Sequence, residues 1–132
     1  MPALWELQRT VQALPEHASL TEYGAYLLDL TLEELVSNII KYGYDDDGTH
    51  EIRIRMEFGG GGAVVSLEDD GRPFDPTRDG VGSAAEELPL ERRTVGGLGI
   101  HLIRSMAESV EYRRERNRNL LCVRIPAEEK AN

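Results

Sequence analysis

The sequence has one cysteine, Cys122, so no disulfide can form within the chain, and that scarcity fits a reducing compartment. It has no surplus of positive charge: 15 Lys+Arg stand against 24 Asp+Glu, a formal charge of −9, with no basic stripe to offset it. A domain this acidic is a poor non-specific binder of phosphate backbones, which argues against direct nucleic-acid binding. No run approaches the roughly 18 apolar residues of a membrane span. Met1-Pro2-Ala3-Leu4-Trp5-Glu6 lacks the basic-then-apolar layout of a secretion signal. Internal repeats and low-complexity linkers are missing too. What is there is 132 residues, read as one domain over 1–132, cytoplasmic, and able to bury a core without a structural metal.

Periodicity gives the elements. Leu4, Leu7, Val11 and Leu14 recur at helical spacing until Pro15 stops them. Ser19 with Glu22 three residues on reads as a capping box opening a long helix. Tyr23, Tyr26, Leu27, Leu30, Leu35 and Ile39 keep its period until Gly43. Residues 51–58 alternate as a strand, with Ile52, Ile54, Met56 and Phe58 on one face. Gly59 to Gly62 predict a flexible hairpin connection back into a strand over 63–67. Little periodicity follows from Arg72 to Val95, the pattern of a lid. Leu98, Leu102, Ile103 and Met106 restore helical spacing. A last hairpin runs over 109–116 and 120–125 around Asn117-Arg118-Asn119. The order α-α-β-β-lid-α-β-β predicts an α+β two-layer sandwich, its helices on one face of a mixed, mostly antiparallel sheet.

Three clusters carry chemistry. Glu34 and Asn38, four apart, share a helix face among Leu35, Val36, Ile39 and Ile40, with Lys41 three residues further. A carboxylate can accept a proton, and an amide oxygen can hold a hard cation. The same pair also reads simply as polar groups facing water. Asp69-Asp70-Gly71-Arg72-Pro73-Phe74-Asp75-Pro76 begins where a strand ends. There a carboxylate can accept from an exocyclic amino group, and a glycine leaves room for a flat ring. The bland alternative is an acidic turn. Gly96-Gly97-Leu98-Gly99 precedes the last helical pattern, where backbone N–H groups and a helix N-terminus favour an anion. It is neither a P-loop nor a dinucleotide fingerprint. His17, His50 and His101 are too scattered for a metal site, and Cys122 reads as a small core residue. Arg113-Arg114-Glu115-Arg116 reads as a solvated face.

Together, in type, order and spacing, the three clusters resemble the Bergerat-fold ATP-binding domain of gyrase, Hsp90, histidine kinases and MutL. Within that superfamily the chain is similar to the small anti-sigma regulatory serine kinases. Residues 34–44 resemble the N box, 69–76 the first glycine box and 96–103 the second. The resemblance implies ATP and Mg²⁺ as cofactors. It implies Glu34 as general base, Asn38 as metal ligand, and Asp69 on the adenine amino group with Gly71 against the ring, and Phe74 as a further nucleotide-binding residue. Lys41 and the Gly96, Gly97, Leu98 and Gly99 segment would meet phosphate. Arg92 or Arg93, in a mobile lid over about 73–96, would reach the γ-phosphate. The implied partner is a STAS-domain anti-anti-sigma factor, phosphorylated on serine; a sigma factor and a homodimer are further implied partners. Two other readings stay open: a nucleotide-gated binding module without phosphotransfer, and a detached histidine-kinase ATPase domain. Relatives commonly begin with a β-strand, where this chain begins with a helical pattern. Tyr42 stands where close relatives have histidine.

Overall fold

The computed structural model describes residues 2–44, 48–77 and 90–130, with only the backbone of 90–97. Helix α1 (Pro2–Ala13) turns Leu4 and Val11 inward. It ends because a residue before proline is pushed out of the helical region: Leu14 has φ −65°, ψ 136°, and Pro15 opens a 3₁₀ turn, Pro15–Ser19. Leu20 and Thr21 are extended, so α2 (Glu22–Thr31) is capped by Thr21, whose hydroxyl accepts the Gly24 N–H at 3.0 Å. The Ser19 capping box does not form; Ser19 instead donates to the Glu16 carbonyl within the 3₁₀ turn. From α2 the helix continues through a π segment, Leu32–Val36, into α3 (Ser37–Tyr42).

Strands β1 (Arg53–Gly59) and β2 (Gly62–Asp69) are joined by a tight turn in which Gly60 and Gly61 have φ of 60° and 85°. Only glycine adopts two such angles at little cost, so the expected four-residue connector is a two-residue turn. Helix α4 (Leu90–Met106) follows, then β3 (Ser109–Glu115) and β4 (Arg118–Ile125). The four strands lie in the order β1-β2-β4-β3, and every pairing is antiparallel, in line with the expected mostly antiparallel sheet. No strand precedes α1 among the described residues.

The helices cover one sheet face. Leu27, Leu28, Leu32 and Leu35 pack against Val65, Leu67, Leu121 and Val123. Burying each such side chain is worth about 1.5–3 kcal/mol relative to exposure. The opposite face is polar, with an open trough of about 630 Å³ lined by Arg53, Arg55, Glu68, Glu111, Arg113 and Cys122. Cys122 therefore sits outside the core. It pairs with Ser66 and Glu111, while its neighbours Leu121 and Val123 point to the helices.

Candidate functional site

Asn38 of the first cluster and Asp69 of the second meet at the end of β2. The third cluster reaches the first through Gly99 against Glu34, and none of Glu34, Lys41, Gly71 and Gly99 lines the hollow that Asn38 and Asp69 share. Asp69, the last residue of that strand, is 2% exposed, and Asn38 on α3 is 8% exposed. Both line a hollow with Leu35, Ile39, Gly43, Arg72, Phe74, Asn119 and Leu121. Its free volume of about 10 Å³ admits roughly one water molecule. As it stands the hollow is too small for a purine ring, and its lining includes Arg72 and Phe74. Those two belong to the loop after β2, whereas Asp69, Asn119 and Leu121 are fixed in paired strands.

The carboxylate of Asp69 is held by one oxygen. Oδ1 accepts the Gly71 N–H at 2.8 Å and the Asn119 Nδ2–H at 3.1 Å. Oδ2 accepts no hydrogen bond among the described residues. Gly71 is confined as well: a β-carbon there would sit 2.7 Å from the Gly43 carbonyl oxygen and 2.9 Å from Asp69 Oδ1. The Arg72 N–H donates to the same Gly43 carbonyl at 2.9 Å, tying the loop to the end of α3. At the rim, Tyr44 stacks on His50 with ring centroids 3.7 Å apart and donates to Asp70 at 2.8 Å. Burial and then that acidic partner push the Tyr44 hydroxyl up to about 12, so it stays a donor.

Asn38 makes no side-chain hydrogen bond among the described residues. Its amide is not among the side-chain polar atoms closed off from solvent without a partner, which among the described residues are those of His17, Thr31 and Ser109, so it stays open to a ligand or to water. Glu34 lies within the π segment, a widened turn often found at functional sites, and it is half-buried. Its carboxylate packs against Gly99 of α4, where a β-carbon would overlap it. Burial raises its pKa above the ordinary 4.5, the Glu33 charge adds to that, and Lys41 pulls it down. Lys41 is exposed on α3 and acts on Glu34 through its charge.

The second glycine cluster departs from expectation. Helix α4 starts at Leu90, so Gly96, Gly97, Leu98 and Gly99 lie within it and not before its N-terminus. Leu90-Glu91-Arg92-Arg93 are good helix formers, and each glycine in a helix costs only about 1 kcal/mol against alanine. Residues 90–96 of the expected lid are thus helical, and residues 78–89 lie outside the described part. Leu98 and Leu102 are 54% and 38% exposed; the buried side of this segment is Ile100, Ile103 and Ala107. The side chains of Arg92 and Arg93 lie outside the described residues.

Sequence reading missed Asn119, Tyr112 and Arg114. Tyr112 donates to Asn119 Oδ1 at 2.6 Å, and Arg114 Nη1 donates to the Gly71 carbonyl at 2.7 Å. Arg114 is therefore not simply solvated. The signal lay in the hairpin: Arg116 and Asn117 form its two-residue turn with φ of 52° and 60°, which moves Asn119 into β4 opposite Asp69.

This is a two-layer fold of helices on an antiparallel sheet, with a buried acid and an asparagine lining one hollow, and the family match falls on that arrangement. The chain belongs to the histidine kinase-like ATPase domain family, whose model matches residues 3–125. Among individual proteins it is similar to the serine-protein kinase RsbW of Halalkalibacterium halodurans, with 26% identity over 95 residues. That alignment covers 67% of this chain and 54% of the relative, so the chain spans about half the length of the curated relative it matches. No solved structure matches the chain. No helix among the described residues is long and apolar enough to cross a membrane.

Proposed function

We propose that the chain binds Mg-ATP in the Asp69 hollow and transfers the γ-phosphate to a serine of a STAS-domain anti-anti-sigma partner. The observation that carries this reading is that Asp69 and Asn38, from distant parts of the chain, line one hollow with Asp69 Oδ2 and the Asn38 amide open to a ligand. Asp69 Oδ2 would accept from the adenine amino group, with Gly71 and Phe74 against the ring. The Asn38 oxygen is a hard donor that fits Mg²⁺. No group of three or more His, Cys, Asp or Glu able to hold a metal exists among the described residues, so the ion's other ligands would be phosphate and water. Bound there, Mg²⁺ would neutralise charge on the phosphates.

Phosphoryl transfer needs positioning and charge neutralisation. Lys41 and, from the first turn of α4, Arg92 and Arg93 would supply positive charge. Glu34 would take the proton as the serine oxygen bonds to the γ-phosphorus and the bond to the β–γ bridging oxygen breaks, releasing ADP. Its raised pKa makes it a better base than an exposed glutamate. The amides of Gly96, Gly97, Leu98 and Gly99 would cap the phosphates once the first turns of α4 open. The same reading assigns the chain to transcription control in the cytoplasm as a single domain, with a sigma factor as second partner and a homodimer as its assembly. Incubation with Mg-ATP and a STAS-domain partner should phosphorylate one serine, and Glu34→Gln should slow this about 10²–10⁴-fold.

One observation favours a second reading, a nucleotide-gated binding module without phosphotransfer. Glu34 is packed against Gly99, and the glycine cluster is helical. ATP-dependent partner capture with no phosphoserine would select that reading.

A further inference from the structure

Asn119 stands at the centre of a row of side chains crossing three strands. It is opposite Asp69 on β2 and opposite Arg114 on β3. It is 4% exposed, and its amide is fully used. Nδ2 donates to Asp69 Oδ1 at 3.1 Å and to the Arg72 carbonyl at 2.8 Å, with the Gly71 carbonyl at 3.5 Å. Oδ1 accepts from Tyr112 at 2.6 Å and from Arg114 Nη1 at 3.2 Å. This fixes which way the amide points, because a flipped amide would set NH₂ against two donors and its oxygen against a carboxylate and a carbonyl. A cationic guanidinium on one side and an anionic carboxylate on the other polarise the amide in the same sense.

We propose that Asn119 is a positioning residue that sets base selectivity at the hollow. By occupying Asp69 Oδ1 together with the Gly71 N–H, it stops the carboxylate from rotating and presents Oδ2 alone to the ligand. A fixed, ionised acceptor rewards a base with an amino group at that edge and repels one with a carbonyl oxygen there. The inference rests on the nucleotide reading above. It goes beyond it by assigning selectivity to a residue that does not itself need to touch the base. Tyr112 and Arg114 act one step further out, holding the Asn119 oxygen.

The test compares ATP with inosine triphosphate, which differs in carrying a carbonyl in place of the amino group. Dissociation constants are measured for the wild type, Asn119→Leu and Tyr112→Phe, with circular dichroism and thermal melts on each. The wild type should prefer ATP. Asn119→Leu should lower ATP affinity about tenfold or more while leaving inosine triphosphate nearly unchanged, so the ratio collapses. Tyr112→Phe keeps the ring and removes one donor; it should shift the ratio the same way by a few-fold, and it carries the test if Asn119→Leu does not fold. An equal loss for both nucleotides would make Asn119 merely structural and overturn the proposal. An unchanged ratio in a folded variant would do the same. A wild type that binds neither nucleotide would overturn the underlying nucleotide reading, and this inference with it.

Discussion

Single residues carry the proposed chemistry, and their charges carry signs that can be checked. Glu34 is the clearest case. Its folded pKa lies above the ordinary 4.5, chiefly through burial. Between that value and the raised one, the folded chain keeps a proton that the unfolded chain releases. Stability therefore falls as pH rises through that window, and the cost persists at neutral pH. Glu34→Gln removes the cost, so its melting temperature at pH 7 should match or exceed the wild type while phosphotransfer collapses; pH-resolved melts check the first half. If the variant melts well below the wild type at pH 7, burial is not what sets this group's pKa. Asp69→Asn should cost about tenfold or more in ATP affinity, because a donor NH₂ or an unpaired oxygen replaces a fixed anionic acceptor. The residue types at 34, 38, 69 and 71 were legible because each is tied to a local pattern. Asn119 was not. Placing the hairpin turn at 117–119 leaves it in a loop, whereas the turn at Arg116 and Asn117 puts it in β4 facing the helices. Strand side chains alternate, so a small shift in a turn decides which face a residue joins.

Elements show where sequence pattern and tertiary geometry part. Helical periodicity located α2 and α3 but not the π segment between them, because apolar spacing does not register one widened turn. The capping box was misplaced because Ser19 belongs to the 3₁₀ turn. Thr21 instead caps α2 and ties it to the β1–β2 turn, with its N–H donating to the Gly61 carbonyl at 3.1 Å. Thr21→Ala should lower unfolding free energy by about 1–2 kcal/mol in a denaturant titration. A loss within error would mean the cap contributes nothing. In α4 the glycine spacing predicts a loop leading into the helix, yet the helix runs through the glycines. Gly96→Ala and Gly97→Ala should each gain about 1 kcal/mol of helix propensity. If these amides must leave the helix to meet phosphate, the same changes should weaken ATP binding. Opposite movement of stability and affinity is the expected result; a gain in both would place the phosphate site elsewhere.

At the scale of the molecule, one arrangement follows from the rest: a helix layer and an antiparallel sheet bring the loop after β2 against the end of α3, and the flank of α4 against Glu34 in the π segment. The order of elements was readable from periodicity, since long patterned segments declare themselves. The closeness of residues far apart in the chain, such as Gly71 to Gly43 or Glu34 to Gly99, depends on packing that no local pattern encodes. A ligand that binds only the folded chain should stabilise it by about 2.7 kcal/mol at one hundred times its dissociation constant. The most direct measurement is a calorimetric titration with ATP, with and without Mg²⁺, on the wild type, Asn38→Ala and Asp69→Asn. The account predicts one saturable site in the wild type, loss of metal dependence in Asn38→Ala, and strongly weakened binding in Asp69→Asn. Equal affinity and equal metal response in all three folded proteins would contradict it.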